Sequence, residues 1–372
     1  MRICNLACFV NFVMVCFAAV CCLLLPATLA QGAAIYHITE LKLPAGMTVS
    51  EAYAINAAGQ VVGAVANPSM HRRAAVRWTN GKAEVLGMLP PLSWGDFNFS
   101  VAYGINTQGD VVGASGNFQP VVMSGLIGAT AFLYRHGELE ALGKDSESFM
   151  ALGINDSTQI VGAHAYRGFL WADGKLIVLD PLSTRAGGNG CWAKSINAHG
   201  QIAGATTVNQ EKAVDLPVHA CLWQADTTRP VQDLGTLPDH PNSFATQINA
   251  GGDVVGYTSK EAIPRLAKEK LNSSTHACYW KDGKIIALSP LTPGQSSKAN
   301  ALNNGNIIVG QSGNHAVRWL EQKIADLNTL IDDSAHWTLD DATGINDGGQ
   351  IIGQGMHDGK LRAYLLSPII DW

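Results

Sequence analysis

The sequence is poor in charge, and the charge it has is nearly balanced. Only 15% of the 372 residues are Asp, Glu, Lys or Arg, and the formal net charge is -5. A chain without excess positive charge does not attract phosphate backbones, so we exclude nucleic acid as a partner.

Cysteine is scarce outside the N-terminal segment. Five of the eight cysteines lie at positions 4 to 22, which leaves Cys191, Cys221 and Cys278 for the rest of the chain. An odd and sparse set excludes a disulfide framework. Cys221 and Cys278 occupy the same position of a repeat described below, so we interpret them as small core residues rather than nucleophiles.

Catalytic and metal signatures are also missing. The chain has no nucleophile motif, phosphate-binding loop, dinucleotide fingerprint or zinc signature, so we assign no catalytic residue, cofactor or metal. His219, His276 and His315 stand at equivalent repeat positions, which should be too far apart to share one ion with ligands at about 2 Å.

We expect the protein to be a monomer.

The longest apolar run lies at the N-terminus. Residues 1–30 combine Arg2, an apolar run from Ile3 to Leu25 and a small-residue end at Thr28–Ala30. This order predicts a cleaved secretory signal and a secreted or periplasmic protein. The run approaches the ~20 residues that span a bilayer, so an uncleaved membrane anchor at residues 3–25 is the alternative.

A short motif recurs seven times in the remaining chain. Each copy has Ile or Leu, then Asn, and a Gly seven residues after the Asn. The asparagines are Asn56, Asn106, Asn155, Asn197, Asn249, Asn303 and Asn346. Asn-x-x-Gly between two alternating stretches predicts two strands around a turn that the Asn starts. Thr158 replaces the turn Gly in the third copy, and Asn304–Gly305 shifts it in the sixth, so we expect altered turns there.

Two more strands follow each motif, as in Ala75–Trp78 and Gln232–Pro238. Four antiparallel strands in about 40–50 residues are typical of β-propeller blades. We therefore predict an all-β fold, with residues 31–372 as one seven-bladed β-propeller of four-stranded antiparallel blades. The blades start near residues 52, 102, 151, 193, 245, 299 and 342.

The two ends of the chain predict how the blades close. The seventh unit stops after its third strand, near Leu366, and Ile38–Pro44 repeats the fourth-strand pattern of Gln232–Pro238. We predict that residues 35–44 complete the last blade, so that the N-terminal strand closes the ring and removes two exposed sheet edges.

Recurring sequences such as Tyr103–Asn106, Gln60–Gly63, His219–Trp223 and Asp233–Leu237 carry a family resemblance. With these motifs, residues 35–367 resemble the bacterial extracellular repeat family named for a His-Ala-Phe tripeptide, the HAF repeat proteins. The nearest copies of the tripeptide here begin at His219, His276 and His315. The resemblance implies export and a propeller-like repeat, and it brings no catalytic residues.

Loop lengths predict where a ligand would bind. The first-to-second and third-to-fourth connections are tight turns, whereas long loops of the other two kinds should share the opposite face, around the channel mouth. Unusual aromatic and charged residues in these loops are our ligand-binding candidates: Trp94, Asp96, Phe97, Arg185, Trp192, His240, Asp332, His336 and Trp337.

Three functions remain open from the sequence. The first is an exported, non-catalytic module that recognises a glycan or an envelope protein on its long-loop face. The second is a glycoside hydrolase or lyase with carboxylates and a histidine at the channel mouth, such as Asp332 or Asp333 with His336. The third is a structural envelope protein.

Overall fold

The computed structural model describes residues 35–70, 72–90, 98–117, 129–143, 149–164, 167–183, 190–208, 217–226, 229–261 and 274–369. These residues lie within one compact unit, Ala33–Trp372. They form 28 strands and two short 3-10 turns, Pro68–Met70 and Leu327–Thr329, and the described part of the chain contains no α-helix. The predicted signal or anchor at residues 1–30 lies outside the described residues.

The strands fall into seven groups of four, which we number by the order of their first strands. Group 7 takes one strand from the N-terminal end, β1 (Tyr36–Glu40). Group 1 contains β2 (Val49–Ile55), β3 (Val61–Asn67), β4 (Arg72–Thr79) and β5 (Lys82–Gly87). Group 2 contains β6 (Asn98–Ile105), β7 (Val111–Asn117), β8 (Ala129–Arg135) and β9 (Glu138–Ala141). Group 3 contains β10 (Phe149–Ile154), β11 (Ile160–His164), β12 (Arg167–Ala172) and β13 (Lys175–Val178).

The remaining groups follow the same order. Group 4 contains β14 (Cys191–Ile196), β15 (Gln201–Thr207), β16 (Val218–Gln224) and β17 (Gln232–Gly235). Group 5 contains β18 (Asn242–Ile248), β19 (Val254–Ser259), β20 (Thr275–Lys281) and β21 (Lys284–Ala287). Group 6 contains β22 (Ser297–Leu302), β23 (Ile308–Ser312), β24 (His315–Leu320) and β25 (Lys323–Asp326). Group 7 is completed by β26 (Trp337–Ile345), β27 (Ile351–His357) and β28 (Lys360–Pro368).

Within each group the strands pair antiparallel in the order first, second, third, fourth. Groups 1 and 2 also share one parallel residue pair, Arg73 with Phe99, which joins them into one eight-stranded sheet. In group 7, β1 pairs with β28 from Tyr36 opposite Pro368 to Glu40 opposite Tyr364. The all-β class with four-stranded antiparallel sheets, expected from the repeats, is confirmed.

The hydrophobic cores lie between neighbouring groups. Val62 and Leu86 of group 1 pack with Phe132 of group 2 in one buried cluster. Another buried cluster joins Trp78 of group 1 to Ile352 of group 7. Alternating strand residues therefore face one neighbour or the other, and both faces of a sheet are covered.

The expectation of altered turns at Thr158 and in the sixth motif is wrong. Thr158 adopts a φ of 57° and Asn306 a φ of 58°, the region that glycine occupies in the other copies. Each still donates its backbone N–H to the carbonyl of the motif Asn, at 3.0 Å and 3.1 Å. Left-handed backbone is strained for a residue with a Cβ, and the fixed strands on both sides hold it in place.

The three cysteines of the described chain, Cys191, Cys221 and Cys278, are buried free thiols. Burial raises the pKa of Cys191 to about 12. It also raises the pKa of Cys221 and Cys278 well above the ordinary value, so none has the thiolate character of a nucleophile. Among the described residues, no helix has the length and hydrophobicity to span a membrane.

Candidate functional site

The seven motif asparagines form a cycle of hydrogen bonds. Each side-chain Nδ2 donates to the backbone carbonyl of the next motif Asn, at 2.9–3.4 Å, and Asn346 donates to Asn56 at 3.1 Å. Each Oδ1 accepts the backbone N–H four residues later, at 2.8–3.0 Å. We call these residues the Asn cycle. One side chain therefore both shapes its turn and ties two groups together.

The first strands that lead to these asparagines lie side by side. The first strands of consecutive groups contact one another, and β26 of group 7 contacts β2 of group 1. All seven carry a bulge three residues before the Asn, at Tyr53 in β2 for example. A bulge bends its strand and re-aims the side chains around it.

A close approach to the bulged first strand explains the motif Gly seven residues after each Asn. A Cβ at Gly63 would lie 1.9 Å from the carbonyl oxygen of Glu51, and a Cβ at Gly353 would lie 2.0 Å from that of Asp341. All seven glycines show this approach to the carbonyl of the residue five positions before the Asn. Only glycine leaves room for the bulged first strand.

The residues five positions before each Asn form what we call the inner belt. They lie toward the end of the first strands that is remote from the Asn turns. They are Glu51, Val101, Met150, Trp192, Phe244, Lys298 and Asp341. Unlike the asparagines, they differ in every group.

One part of the belt is apolar, and we call it the apolar arc: Val101, Met150, Trp192 and Phe244. The rings of Trp192 and Phe244 are 6.4 Å apart between centroids. Phe244 stacks in turn on Tyr257, its cross-strand partner, at 5.8 Å and 14°. Three aromatic rings therefore pack together from group 4 into group 5. Trp192 and Tyr257 are buried, and Phe244 keeps part of its ring accessible.

The other part, the charged arc, consists of Lys298, Asp341 and Glu51. Glu51 is buried, forms an ion pair with Arg73 Nη2 and accepts a hydrogen bond from the Tyr53 hydroxyl at 2.8 Å. Arg73 Nη2 also donates to the Tyr53 oxygen at 2.8 Å. Burial raises the pKa of Tyr53 to about 12, so the phenol stays protonated and Glu51 is the anion of this pair.

Asp341 has the most unusual ionisation in the belt. Its Oδ1 accepts a hydrogen bond from Asn300 Nδ2 at 2.6 Å, which ties group 7 to group 6. Burial raises the pKa of Asp341 to about 6, although the Lys298 ammonium acts in the opposite direction. Asp341 keeps part of its surface accessible. A carboxyl group that is half protonated near pH 6 can donate as well as accept a proton.

Four of the nine residues proposed from the sequence, Trp94, Asp96, Phe97 and Arg185, lie outside the described residues. Trp192 lies on β14 and is 4% exposed, in the apolar arc of the belt. Its indole Nε1 is buried and has no hydrogen-bond partner among the described residues.

The other four lie in two further groups. His240 is buried before β18, where its Nδ1 lies 2.7 Å from Thr258 Oγ1, and burial lowers its pKa. Asp332 Oδ2 lies 2.5 Å from His37 Nδ1, a contact that connects Asp332 to β1. His336 is exposed and pairs with Asp333. Trp337 is buried and stacks on His357 at 4.4 Å.

Sequence reasoning missed the inner belt, apart from Trp192. Its residues share no type, so no repeated letter marks them. A signal was present, however, because the invariant Gly after each turn requires a close backbone partner. Counting back from each Asn to that partner brings Lys298 and Asp341 into alignment with Trp192.

Comparisons with known proteins bear on the fold. No protein-family model and no curated protein matches the chain. The extracellular domain of a putative one-component system from B. thetaiotaomicron is similar in structure, with a TM-score of 0.52 and 10% identity. The match covers 88% of this chain and 39% of that chain.

Two other similar structures are the WD40 β-propeller domain of Doa1 and Trypanosoma rangeli sialidase. The first has a TM-score of 0.41 and 12% identity and covers 90% of this chain and 97% of that chain. The second has a TM-score of 0.44 and 10% identity and covers 90% and 59%. The strand pairing of the described residues, and not these weaker similarities, defines the chain as an all-β protein of four-stranded sheets.

Proposed function

We propose that the chain is an exported, non-catalytic binding protein, a closed seven-bladed propeller of the HAF repeat type that takes a glycan at its inner belt. Each four-strand group is one blade, and β1 completes the seventh. The site lies toward the long-loop end of the first strands, in the mouth of the central channel.

The Asn cycle is the main support for the closed ring. The donation from Asn346 to Asn56 spans 290 positions of the sequence and has the same geometry as the donations between consecutive groups. The buried cluster around Trp78 and Ile352 supports the same arrangement. An open array would leave the first and last groups without these partners.

The partly exposed part of the belt carries the glycan proposal. Phe244, Lys298 and Asp341 belong to consecutive groups and each keeps part of its surface accessible, whereas Trp192 and Tyr257 are buried and support the Phe244 ring from behind. An aromatic ring therefore lies in the same belt as an ammonium and a carboxyl group. Sugars combine an apolar ring face with a rim of hydroxyl groups, so a site with both features matches them. Recognition of an envelope protein is the competing outcome.

Export is supported by the N-terminal apolar segment and the HAF resemblance. One structural neighbour, with a TM-score of 0.52, is an extracellular domain of a putative one-component system. Mass spectrometry of the N-terminus of protein made from the full-length sequence would distinguish a cleaved signal from a retained anchor. A mature N-terminus near residue 31 is the expected result.

A glycan-binding screen with this protein tests the binding proposal. Phe244→Leu keeps an apolar side chain but removes the aromatic face, and we expect it to weaken glycan binding by about 3- to 10-fold, the value of one aromatic contact. Phe169→Leu, in the core where Phe169 stacks on Phe149, is the matched control. Absence of glycan binding, or equal binding by both variants, would contradict the proposal.

A glycoside hydrolase is the second candidate, because the pKa of Asp341 is raised to about 6 while Arg73 pairs with Glu51. Two carboxyl groups in different protonation states are what acid–base hydrolysis of a glycosidic bond requires. Release of reducing sugar from the bound glycan, lost in Asp341→Asn, would support the enzyme. Unchanged glycan after prolonged incubation would support binding alone.

A further inference from the structure

The charges of the inner belt are not equally compensated. Glu51 has a cationic partner in Arg73 and a hydrogen-bond donor in Tyr53, so its negative charge is neutralised locally. Lys298 has no ion pair within the described part of the chain. Its Nζ lies 5.1 Å from the ring centroid of Tyr257, a contact that leaves the positive charge without a counter-ion.

Lys298 interacts electrostatically with Asp341 but forms no ion pair with it, and burial favours the neutral form of Asp341. Asp341 faces Lys298 and Asn300 of β22, Gln354 of β27 across the strand pair, and the adjacent Asp340. Tyr364 of β28 donates its hydroxyl to the Asp341 backbone carbonyl at 2.9 Å. Glu51 is the equivalent residue on β2, and the ion pair with Arg73 neutralises its charge. When Asp341 is protonated, Lys298 is left as the uncompensated charge of the arc.

Two buried polar atoms in the belt and next to it lack partners in the described part of the structure. The indole Nε1 of Trp192 and the amide Oε1 of Gln354 are buried and have no hydrogen-bond partner among the described residues. Trp192 is a belt residue, and Gln354 is the cross-strand partner of Asp341. A buried polar atom without a partner costs about 1–3 kcal/mol. A ligand hydroxyl has the groups to pair with either atom, whereas a ligand carboxylate, which only accepts, matches the indole N–H alone.

We propose that the inner belt selects a sugar that carries a carboxylate, a hexuronate unit, with Lys298 as the counter-ion of the carboxylate and the partly exposed Phe244 ring against the sugar ring. This inference rests on the proposed glycan function and specifies its ligand. Neutral sugars would leave Lys298 without a partner, and a carboxylate without a ring would leave the accessible part of Phe244 uncovered.

The same geometry makes binding depend on pH. An ionised Asp341 repels the ligand carboxylate, whereas the protonated form does not. Since the pKa of Asp341 is about 6, affinity for a hexuronate should fall as pH rises from 5 to 7.5. A hexuronate itself stays ionised throughout this range, because carboxylates titrate near pH 4.

The experiment uses oligogalacturonate and its carboxyl-reduced counterpart, which differ only in the carboxylate. Isothermal titration of the protein made from the full-length sequence at pH 5 should give at least about tenfold tighter binding of the acidic form, as expected for one charge-assisted contact. Lys298→Gln should remove this preference while the reduced oligosaccharide still binds. Asp341→Asn should bind the acidic form equally at pH 5 and 7.5. Lys284→Gln, at an exposed position of β21, is the matched control.

The outcomes separate the two proposals. Equal affinity for both oligosaccharides, or a preference that persists in Lys298→Gln, would overturn the hexuronate inference and leave glycan binding standing. Binding of neither oligosaccharide, nor of any glycan in the screen, would reject the proposed function and this inference together. Thermal unfolding of each variant shows whether lost binding comes from lost folding.

Discussion

The Asn cycle and the inner belt lie at two levels of the same seven first strands, and they differ in almost every respect. The Asn cycle repeats one residue, one turn and one inter-group hydrogen bond seven times. The inner belt, five residues earlier, has seven positions with apolar, aromatic, acidic and basic side chains. Positions that hold the groups together must satisfy the same geometry in every group. The belt positions are free of that requirement, and in the proposed site they differ because a glycan is not sevenfold symmetric.

We expect the largest effect from deleting β1. This deletion tests whether the Asn cycle and the inner belt both depend on that strand. Deletion of residues 35–44 removes Tyr36, Ile38 and Leu41, which are buried. At about 1.5–3 kcal/mol for each buried side chain, unfolding should become easier by about 5 kcal/mol or more. A broader and lower thermal transition, followed by circular dichroism, is expected.

Lys42→Ala is the control for that deletion, because the Lys42 side chain is exposed and its backbone carbonyl still accepts from Trp78 Nε1. A melting curve unchanged by the deletion would defeat the closed-ring proposal.

The next effect distinguishes the two roles of a cycle asparagine: its hydrogen bond to the next group and its part in the turn. Asn197→Asp keeps the acceptor that shapes the turn but loses the Nδ2 donation to the carbonyl of Asn249, 2.9 Å away. With a buried carbonyl left unpaired beside a carboxylate, we expect a loss of about 2–4 kcal/mol in denaturant unfolding.

Asn80→Asp provides the matched turn, because Asn80 is exposed, has a φ of 50° and lies outside the cycle. A change below about 0.5 kcal/mol is expected there. Equal effects of the two substitutions would reduce the cycle asparagines to turn formers.

A smaller effect tests how much the ionisation of Asp341 in the inner belt reduces the free energy of unfolding. The pKa of Asp341 is raised from 3.8 to about 6, so the folded state holds a proton that the unfolded chain loses near pH 4. The stability from this group is present below pH 4 and is lost as pH rises to 6. After allowance for its accessible surface, the loss is about 2 kcal/mol.

Asp341→Asn should therefore gain stability relative to the unsubstituted protein between pH 4 and pH 7. Urea unfolding of both proteins at the two pH values measures the difference. A difference that does not vary with pH would show that Asp341 titrates normally.

The smallest effect tests the uniformity of the turns. Thr158→Gly should relieve left-handed strain of about 1–2 kcal/mol, and most of that gain is offset by the greater freedom of glycine when unfolded. The lost contact from Arg135 Nη2 to Thr158 Oγ1, at 3.1 Å, reduces it further. We expect a gain of about 0.5 kcal/mol at most.

The reverse change at the equivalent turn position, Gly200→Ala, places a side chain at a φ of 73° and should cost about 1–2 kcal/mol. A stabilising Gly200→Ala would contradict this account of the turn.

Local patterns made much of the fold predictable. Alternating apolar residues, hairpin turns such as Asn80–Gly81 and the Asn-x-x-Gly signal each act over a few residues, so strands and turns follow from the sequence. The turn at Thr158 was misjudged because flanking strands imposed a conformation that the residue disfavours. Trp337 and His240 looked like loop contacts, yet packing buries both.

The sequence by itself determined the strand repeat, the turn asparagines and the match between Ile38–Pro44 and the other fourth strands, because hydrogen-bonding and side-chain patterns within a repeat are local. Only the tertiary structure decided that the asparagines form a cycle and that Lys298 and Asp341 join Trp192 in one belt. Those positions are separated by 42 to 54 residues from one group to the next, and packing alone brings them together.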